Sequence, residues 1–206
     1  MKIGVLALQG DFAEHIAILR HMEVDTAEVR LPSQLDELDG LIIPGGESTT
    51  IGKLATTFDM IEPLRQFSHN RPIWGTCAGA IFLSCGAHRQ QPLLNLMDIT
   101  IERNAFGRQV NSFEIDLIIP ALENPELPFR ALFIRAPLIE RVGEDVEVLA
   151  HLPEDSQRAG RVVAAQQGHL LATSFHPELT DDKRFHRYFL SLVKGLEDHD
   201  PSLRLA

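Results

Sequence analysis

Cysteine is scarce in this chain: Cys77 and Cys85 are the only two among 206 residues. If both lie on one helix, their Cα atoms stand roughly 12 Å apart at 1.5 Å per residue, beyond disulfide reach. Both are therefore expected as free thiols, as a reducing compartment keeps them, with Cys85 in the core. Basic residues are also few, 19 against 29 acidic ones, for a formal charge of -10. That leaves no basic face for nucleic acid or an anionic membrane, so small-molecule or protein partners are expected. No apolar stretch approaches membrane-spanning length. The apolar run at the N-terminus is too short for a signal peptide's core and carries no cleavage pattern, so a cytoplasmic location is expected. The nine histidines are scattered without paired ligand spacing, and no metal site is expected. Repeats, low-complexity segments and interdomain linkers are missing too. What is present, 44% hydrophobic and 23% charged residues, suits one ordinary globular domain. It is expected over residues 1–197, with a solvated tail at 198–206.

Lys2 to Leu8 is a nearly continuous apolar run ending in Gln9-Gly10, the pattern of a buried parallel strand and its turn. Phe12, Ile16 and Leu19 follow at helical spacing, through about Met22. Further strands are expected at Thr26 to Leu31, Gly40 to Ile43 and Pro72 to Trp74, with a helix from about Met60 to His69. This alternation implies an α/β fold, a mostly parallel sheet with helices on both faces. From Asp98 onward strand-like runs prevail, at Asp98 to Glu102, Ser112 to Ile119, Phe129 to Ile134, Val146 to Leu152, Arg161 to Gln166 and Leu170 to Ser174. They are read as antiparallel additions at one edge, returning to the centre at Leu171 to Phe175. A last helix puts Phe185, Phe189, Leu192 and Leu196 on one face, with Thr180 as its cap and Asp181 and Asp182 at the positive end of its dipole.

Between the fourth strand and an apolar helix starting near Ala80 stands Gly75-Thr76-Cys77-Ala78-Gly79. A Gly-x-nucleophile-x-Gly string at such a junction describes a nucleophile elbow, here with Cys in place of Ser. The turn is too sharp for flanking side chains, and the nucleophile sits in strained backbone. A helix N-terminus favours thiolate over thiol. Taken alone, a Cys among small residues is as readily a small buried hydrophobe.

What shifts the balance is Ser174-Phe175-His176-Pro177-Glu178, at the carboxyl end of a later strand, where open α/β sheets place their sites. Residues i and i+2 of an extended chain point the same way, so Glu178 can hold the His176 ring while its other nitrogen serves Cys77. Pro44-Gly45-Gly46-Glu47-Ser48-Thr49 closes the third strand. Its backbone N–H groups, at Gly46 above all, together with that of Ala78, could stabilise an oxyanion.

These three stretches resemble the triad-type, class I glutamine amidotransferases, with their flavodoxin-like three-layer sandwich. More closely, Leu8-Gln9-Gly10, Pro44 to Thr50, Glu102-Arg103-Asn104-Ala105-Phe106-Gly107-Arg108-Gln109, Phe133-Ile134-Arg135-Ala136-Pro137 and Ser174 to Thr180 resemble the glutaminase subunits of two-protein pyridoxal 5'-phosphate synthases. The resemblance implies hydrolysis of L-glutamine, with ammonia passed to a (β/α)8-barrel synthase subunit. Pyridoxal phosphate would be the product of that assembly, and no cofactor is implied here. Carried over, Cys77 is nucleophile, His176 acid–base and Glu178 its orienter. Gly46, Glu47, Ser48, Arg103, Ile134 and Arg135 bind glutamine, and Gln9 is a candidate relay at the partner contact. Arg108, Arg130 and Arg141 are read as surface charges. One departure stands in Gly86 to Met97, where Leu94-Asn95-Leu96 replaces a common Leu-Gly-Leu. A stand-alone cysteine hydrolase and a catalytically silent regulatory subunit remain alternatives.

Overall fold

The structure, a computed structural model, describes residues 1–103, 105, 112–156 and 158–199. Helix α1 (Phe12–His21) joins strand β1 (Lys2–Leu6) to β2 (Asp25–Val29), a 3-10 turn at Pro32–Gln34 joins β2 to β3 (Gly40–Ile43), and helices α2 (Ser48–Thr57) and α3 (Ile61–Phe67) join β3 to β4 (Ile73–Thr76). Helix α4 (Ala78–Leu83) runs directly into β5 (Ser84–Ala87), and β6 (Met97–Glu102) follows. Then come the hairpin β7 (Ser112–Leu117) and β8 (Phe129–Ile134), strands β9 (Leu138–Val142), β10 (Glu147–His151), β11 (Val162–Gln167) and β12 (Leu170–Thr173), and helix α5 (Arg184–His199).

Ten strands form one sheet in the order β2-β1-β3-β4-β12-β11-β9-β6-β5, with β10 paired to β11. The five strands from β2 to β12 are mutually parallel; β11 and β9 continue antiparallel. The continuous apolar runs divide by alternation. Ile3, Val5, Ile42, Trp74 and Leu171 face one layer, with α1 and α5, while Leu41, Ile43, Ile73 and Ala172 face α2, α3 and α4. Each face therefore has its own apolar core, the arrangement a doubly covered sheet requires. Among the described residues no helix is long and apolar enough to cross a membrane.

Several expectations need correcting. Helix α4 ends at Leu83, so Cys85 lies in β5 and is exposed rather than in the core, although both cysteines are free as expected. The hairpin β7–β8 is not an addition to the sheet edge. It forms a sheet of its own, with Phe113 stacked on Phe133 at 4.8 Å and Phe133 against Phe175 in the core. Thr180 does not cap α5: its hydroxyl donates to the Pro177 carbonyl, and Asp182 accepts the Arg184 N–H instead. The buried stripe of α5 is Phe185, Phe189, Leu190 and Val193, with Leu192 and Leu196 only half-buried. That helix continues to His199, into the expected tail, whose residues 200–206 lie outside the described ones.

Candidate active site

Cys77 sits where β4 gives way to α4, with φ 47° and ψ -104°, a conformation that L-residues avoid. Its N–H donates to the Thr173 carbonyl at 2.7 Å, tying the elbow to the end of β12. The next turn of that strand end carries His176, whose own N–H donates to the Leu132 carbonyl of β8 at 2.9 Å. The separate hairpin thus buttresses the histidine. Nδ1 of His176 lies 2.7 Å from Glu178 Oε1 and 3.5 Å from Asp11 Oδ2, and its ring is hydrogen-bonded to Cys77. A Cβ on residue 45 would come within 2.4 Å of the His176 ring, so only glycine lets the ring lie so close to that backbone. Burial opposes charge on His176. Hydrogen bonds and opposite charge from Cys77 and Glu178 outweigh it and raise the histidine to about 10. Burial likewise pushes the Glu178 carboxyl up, against the His176 contacts that pull it down.

A cavity of about 520 Å³ opens above this pair. Cys77 and His176 line it together with Gln9, Gly46, Glu47, Ser48, Ala78, Arg103, Ile134 and Arg135, so every predicted site residue except Glu178 is at its wall. Glu178 is buried behind the imidazole. Among the described residues, a larger surface depression of about 740 Å³, between residues 116–121 and 147–154, offers no serine, threonine or cysteine. Asp11, His176 and Glu178 each bring one potential ligand atom within 4.8 Å of the others. Both carboxylates face Nδ1 of His176, Glu178 at 2.7 Å and Asp11 at 3.5 Å, and the cluster is read as a proton-handling group.

Glu47 caps α2, accepting the Thr50 N–H at 2.8 Å and the Thr49 hydroxyl at 2.5 Å. Burial raises this carboxyl, but those hydrogen bonds prevail and bring it to about 2. Arg103 bridges Glu47 Oε1 and Gln91 Oε1, each at 2.9 Å. Arg135, at φ 44°, is exposed at the cavity wall. Gln91, Asp11 and His15 are site neighbours that sequence reasoning missed. Gln91 belongs to the departing loop, where Asn95 takes φ 54°, the left-handed conformation a glycine adopts freely. Of the residues read as surface charges, Arg130 pairs with Glu114 and Asp116, and Arg141 with Asp98. Arg108, with Asn104 and Phe106 to Gln109, lies outside the described residues.

The family model of the SNO glutamine amidotransferases matches residues 5–194. The chain belongs to that family. It is 58% identical over 197 residues to the pyridoxal 5'-phosphate synthase subunit PdxT of Herpetosiphon aurantiacus, covering 93% of this chain and all of that one. The same-named protein of Dehalococcoides mccartyi is 55% identical, covering 94% and 98%. A crystal structure of a glutamine amidotransferase superposes with TM-score 0.85 at 47% identity, covering 93% and 98%. A chain of PurLQS from Thermotoga maritima, 16% identical with TM-score 0.71 and coverage of 92% and 97%, shares the fold. The architecture is that of the class I glutamine amidotransferases.

In this family member two further histidines, His15 and His186, are wholly buried next to the site. Burial drives both below the ordinary histidine range, His186 to about 3 and His15 well down, the latter helped by charge on His186 and His176. An unfolded chain takes up those protons first. Their contribution to stability is therefore complete above pH 6.5 and lost as pH falls below it, for His186 down toward 3, at about 1.4 kcal/mol per histidine per pH unit. The burial-raised Glu178 acts in the opposite sense. A net loss of about 1–2 kcal/mol between pH 6 and pH 5 is expected in urea unfolding; a flat profile there would mean the histidines are not held neutral. On the alkaline side, the contribution of His176 is complete below 6.5 and disappears as pH rises through about 10.

Proposed function

We propose that this chain, over residues 1–197, is the glutaminase of a pyridoxal 5'-phosphate synthase and delivers ammonia to a (β/α)8-barrel synthase partner. The observation that carries the reading is Cys77, in strained backbone at the cavity floor, hydrogen-bonded to a His176 that Glu178 holds at 2.7 Å. The thiolate of Cys77, stabilised by the imidazolium, attacks the side-chain amide carbon of L-glutamine. The N–H groups of Gly46 and Ala78 meet the oxyanion. His176 protonates the departing ammonia, leaving a thioester. Now neutral, His176 takes a proton from the water that attacks the thioester, and collapse releases glutamate and restores the thiolate–imidazolium pair.

Recognition of the amino-acid end falls to opposite charges. Glu47 remains anionic for the α-ammonium, and Arg135 and Arg103 offer guanidinium groups to the carboxylate. The Arg103–Glu47 pair is part-exposed and worth at most about 1 kcal/mol, so substrate charges can displace it. Ile134 also lines the cavity. Free thiols suit a cytoplasmic setting.

Two contacts govern the oxyanion loop in the isolated chain. The Gly45 carbonyl accepts the Asp11 N–H at 3.2 Å, and the Gln9 side-chain oxygen accepts the Glu47 N–H at 2.7 Å. A partner that engages Gln9 would release the second and allow the Gly45–Gly46 peptide to turn. Ammonia release from glutamine should accordingly be feeble for the isolated chain and rise markedly when purified synthase is added. Equal rates with and without the partner would refute this activation.

A further inference from the structure

The Glu178 carboxylate has two oxygens, and the triad uses one. Oε1 receives His176, while Oε2 is buried without a hydrogen bond from any described residue. The imidazole of His15, fully buried on α1, stands beside it. His15 Nε2 is 3.4 Å from Glu178 Oε2 and 3.3 Å from Thr76 Oγ1, and Nδ1 is 3.0 Å from His186 Nε2. Charge decides the tautomers. A carboxylate can only accept, so a His15 lone pair facing Oε2 would be repelled, whereas Nε2–H is attracted and shared with the threonine oxygen. Nδ1 must then accept, and His186 must donate its Nε2–H. The Nδ1 of His186 is left as a buried lone pair with no partner, which costs less than an orphaned N–H in the same place.

We propose that His15 is a positioning residue for the reaction: its Nε2–H fixes the outer oxygen of Glu178, so that the carboxylate plane stays turned toward His176, and His186 locks the His15 tautomer. The inference rests on the triad reading given above. Buried and neutral, His15 supplies a dipole without competing with His176 as the cation that pairs with Glu178. The charged or titratable groups around Glu178 are His176, His15 and Asp11; Lys183 acts on His186 from beyond. The contact is long at rest and should tighten as positive charge returns to His176 when it takes a proton from the water that attacks the thioester.

The test uses the full chain assembled with its synthase partner, with glutamine-dependent ammonia release followed from pH 6 to 10. His15→Leu should lower kcat about 10- to 100-fold with KM changed less than about twofold. It should also move the alkaline limb to lower pH, because a less firmly held Glu178 stabilises the imidazolium less. His15→Gln, which keeps an N–H at the ε position, should recover most of the rate; His15→Asn, too short to reach Oε2, should not. Should His15→Leu fail to fold, the Gln and Asn variants decide alone, and equal rates for the two overturn the proposal. So does a wild-type rate in His15→Leu. Glu178→Gln is run beside them: if it is fully active, the triad reading itself fails, whereas a dead Glu178→Gln with insensitive His15 variants removes only the present inference.

Discussion

Replacing Cys77 by Ala is expected to reduce ammonia release by about 10⁴-fold or more, even with the synthase partner present. Among the described residues, no other group in the cavity can take over. Ser48 is the nearest hydroxyl on its wall, but it is buried and donates to Gln91 Oε1 at 3.3 Å, with no base against it. The strained backbone supplies a second readout. Both Cys77 and an alanine in its place must hold φ near 47°, which costs about 1–3 kcal/mol for a residue with a Cβ. Cys77→Gly removes that cost, so it should be as inactive as Cys77→Ala yet more stable to urea by about 1 kcal/mol. If the Gly variant were the less stable of the two, the elbow would not be strained and the sulfur would be held by packing instead. Partner binding should survive in both variants, since neither alters the exposed surface.

The sequence was readable where one rule dominated. Of the first four strands, β1, β3 and the start of β4 are apolar runs bounded by turn residues, whereas β2 is the mixed run Asp25-Thr26-Ala27-Glu28-Val29; all four lie in the parallel sheet. The elbow and the His176–Glu178 pair were legible because their spacing carries chemistry, although Glu178 reaches His176 from a 3-10 turn at Pro177–Leu179 and not from the extended chain expected. Helix α2 escaped notice because Ser48-Thr49-Thr50-Ile51-Gly52 is rich in poor helix formers, although Ser48, Ile51, Gly52 and Ala55 make a buried stripe at helical spacing. Its cap is Glu47, a residue singled out for substrate binding rather than for structure. Strands β5 and β9 were missed because β5 is four residues joined to a helix with no break, and β9 follows β8 after only three residues. The place of the hairpin could not be read at all: whether two strands join a sheet edge or cover its face depends on tertiary packing, here that of Phe133 on Phe175. His15 was hidden for a similar reason. A histidine inside an apolar helical stripe gives no local sign that a carboxylate from 163 positions later will lie against it.

Gly10→Ala is expected to lower kcat about 100-fold and stability by about 2–3 kcal/mol, although residue 10 has no side chain and plays no chemical part. The reason is a close approach between two turns. Residue 10 has φ +99°, and a Cβ there would lie 1.8 Å from the Gly45 carbonyl oxygen and 2.9 Å from its carbon. Backbone cannot swing aside as a flexible side chain does, so the turn at 9–11 must separate from the one at 45–47. That separation breaks the Asp11 N–H bond to Gly45 and draws the Gln9 oxygen away from the Glu47 N–H. The proposed oxyanion donor on Gly46 moves with them. A displacement of about 1 Å at such a donor is enough for a loss of this size. Gly195→Ala supplies the contrast. It lies within α5 with nothing within 4 Å of the added carbon, so it should raise stability by up to about 1 kcal/mol and leave the rate unchanged. A Gly10→Ala enzyme with wild-type rate and stability would mean that the two turns do not meet, and that the oxyanion loop is held by something other than the end of the first strand.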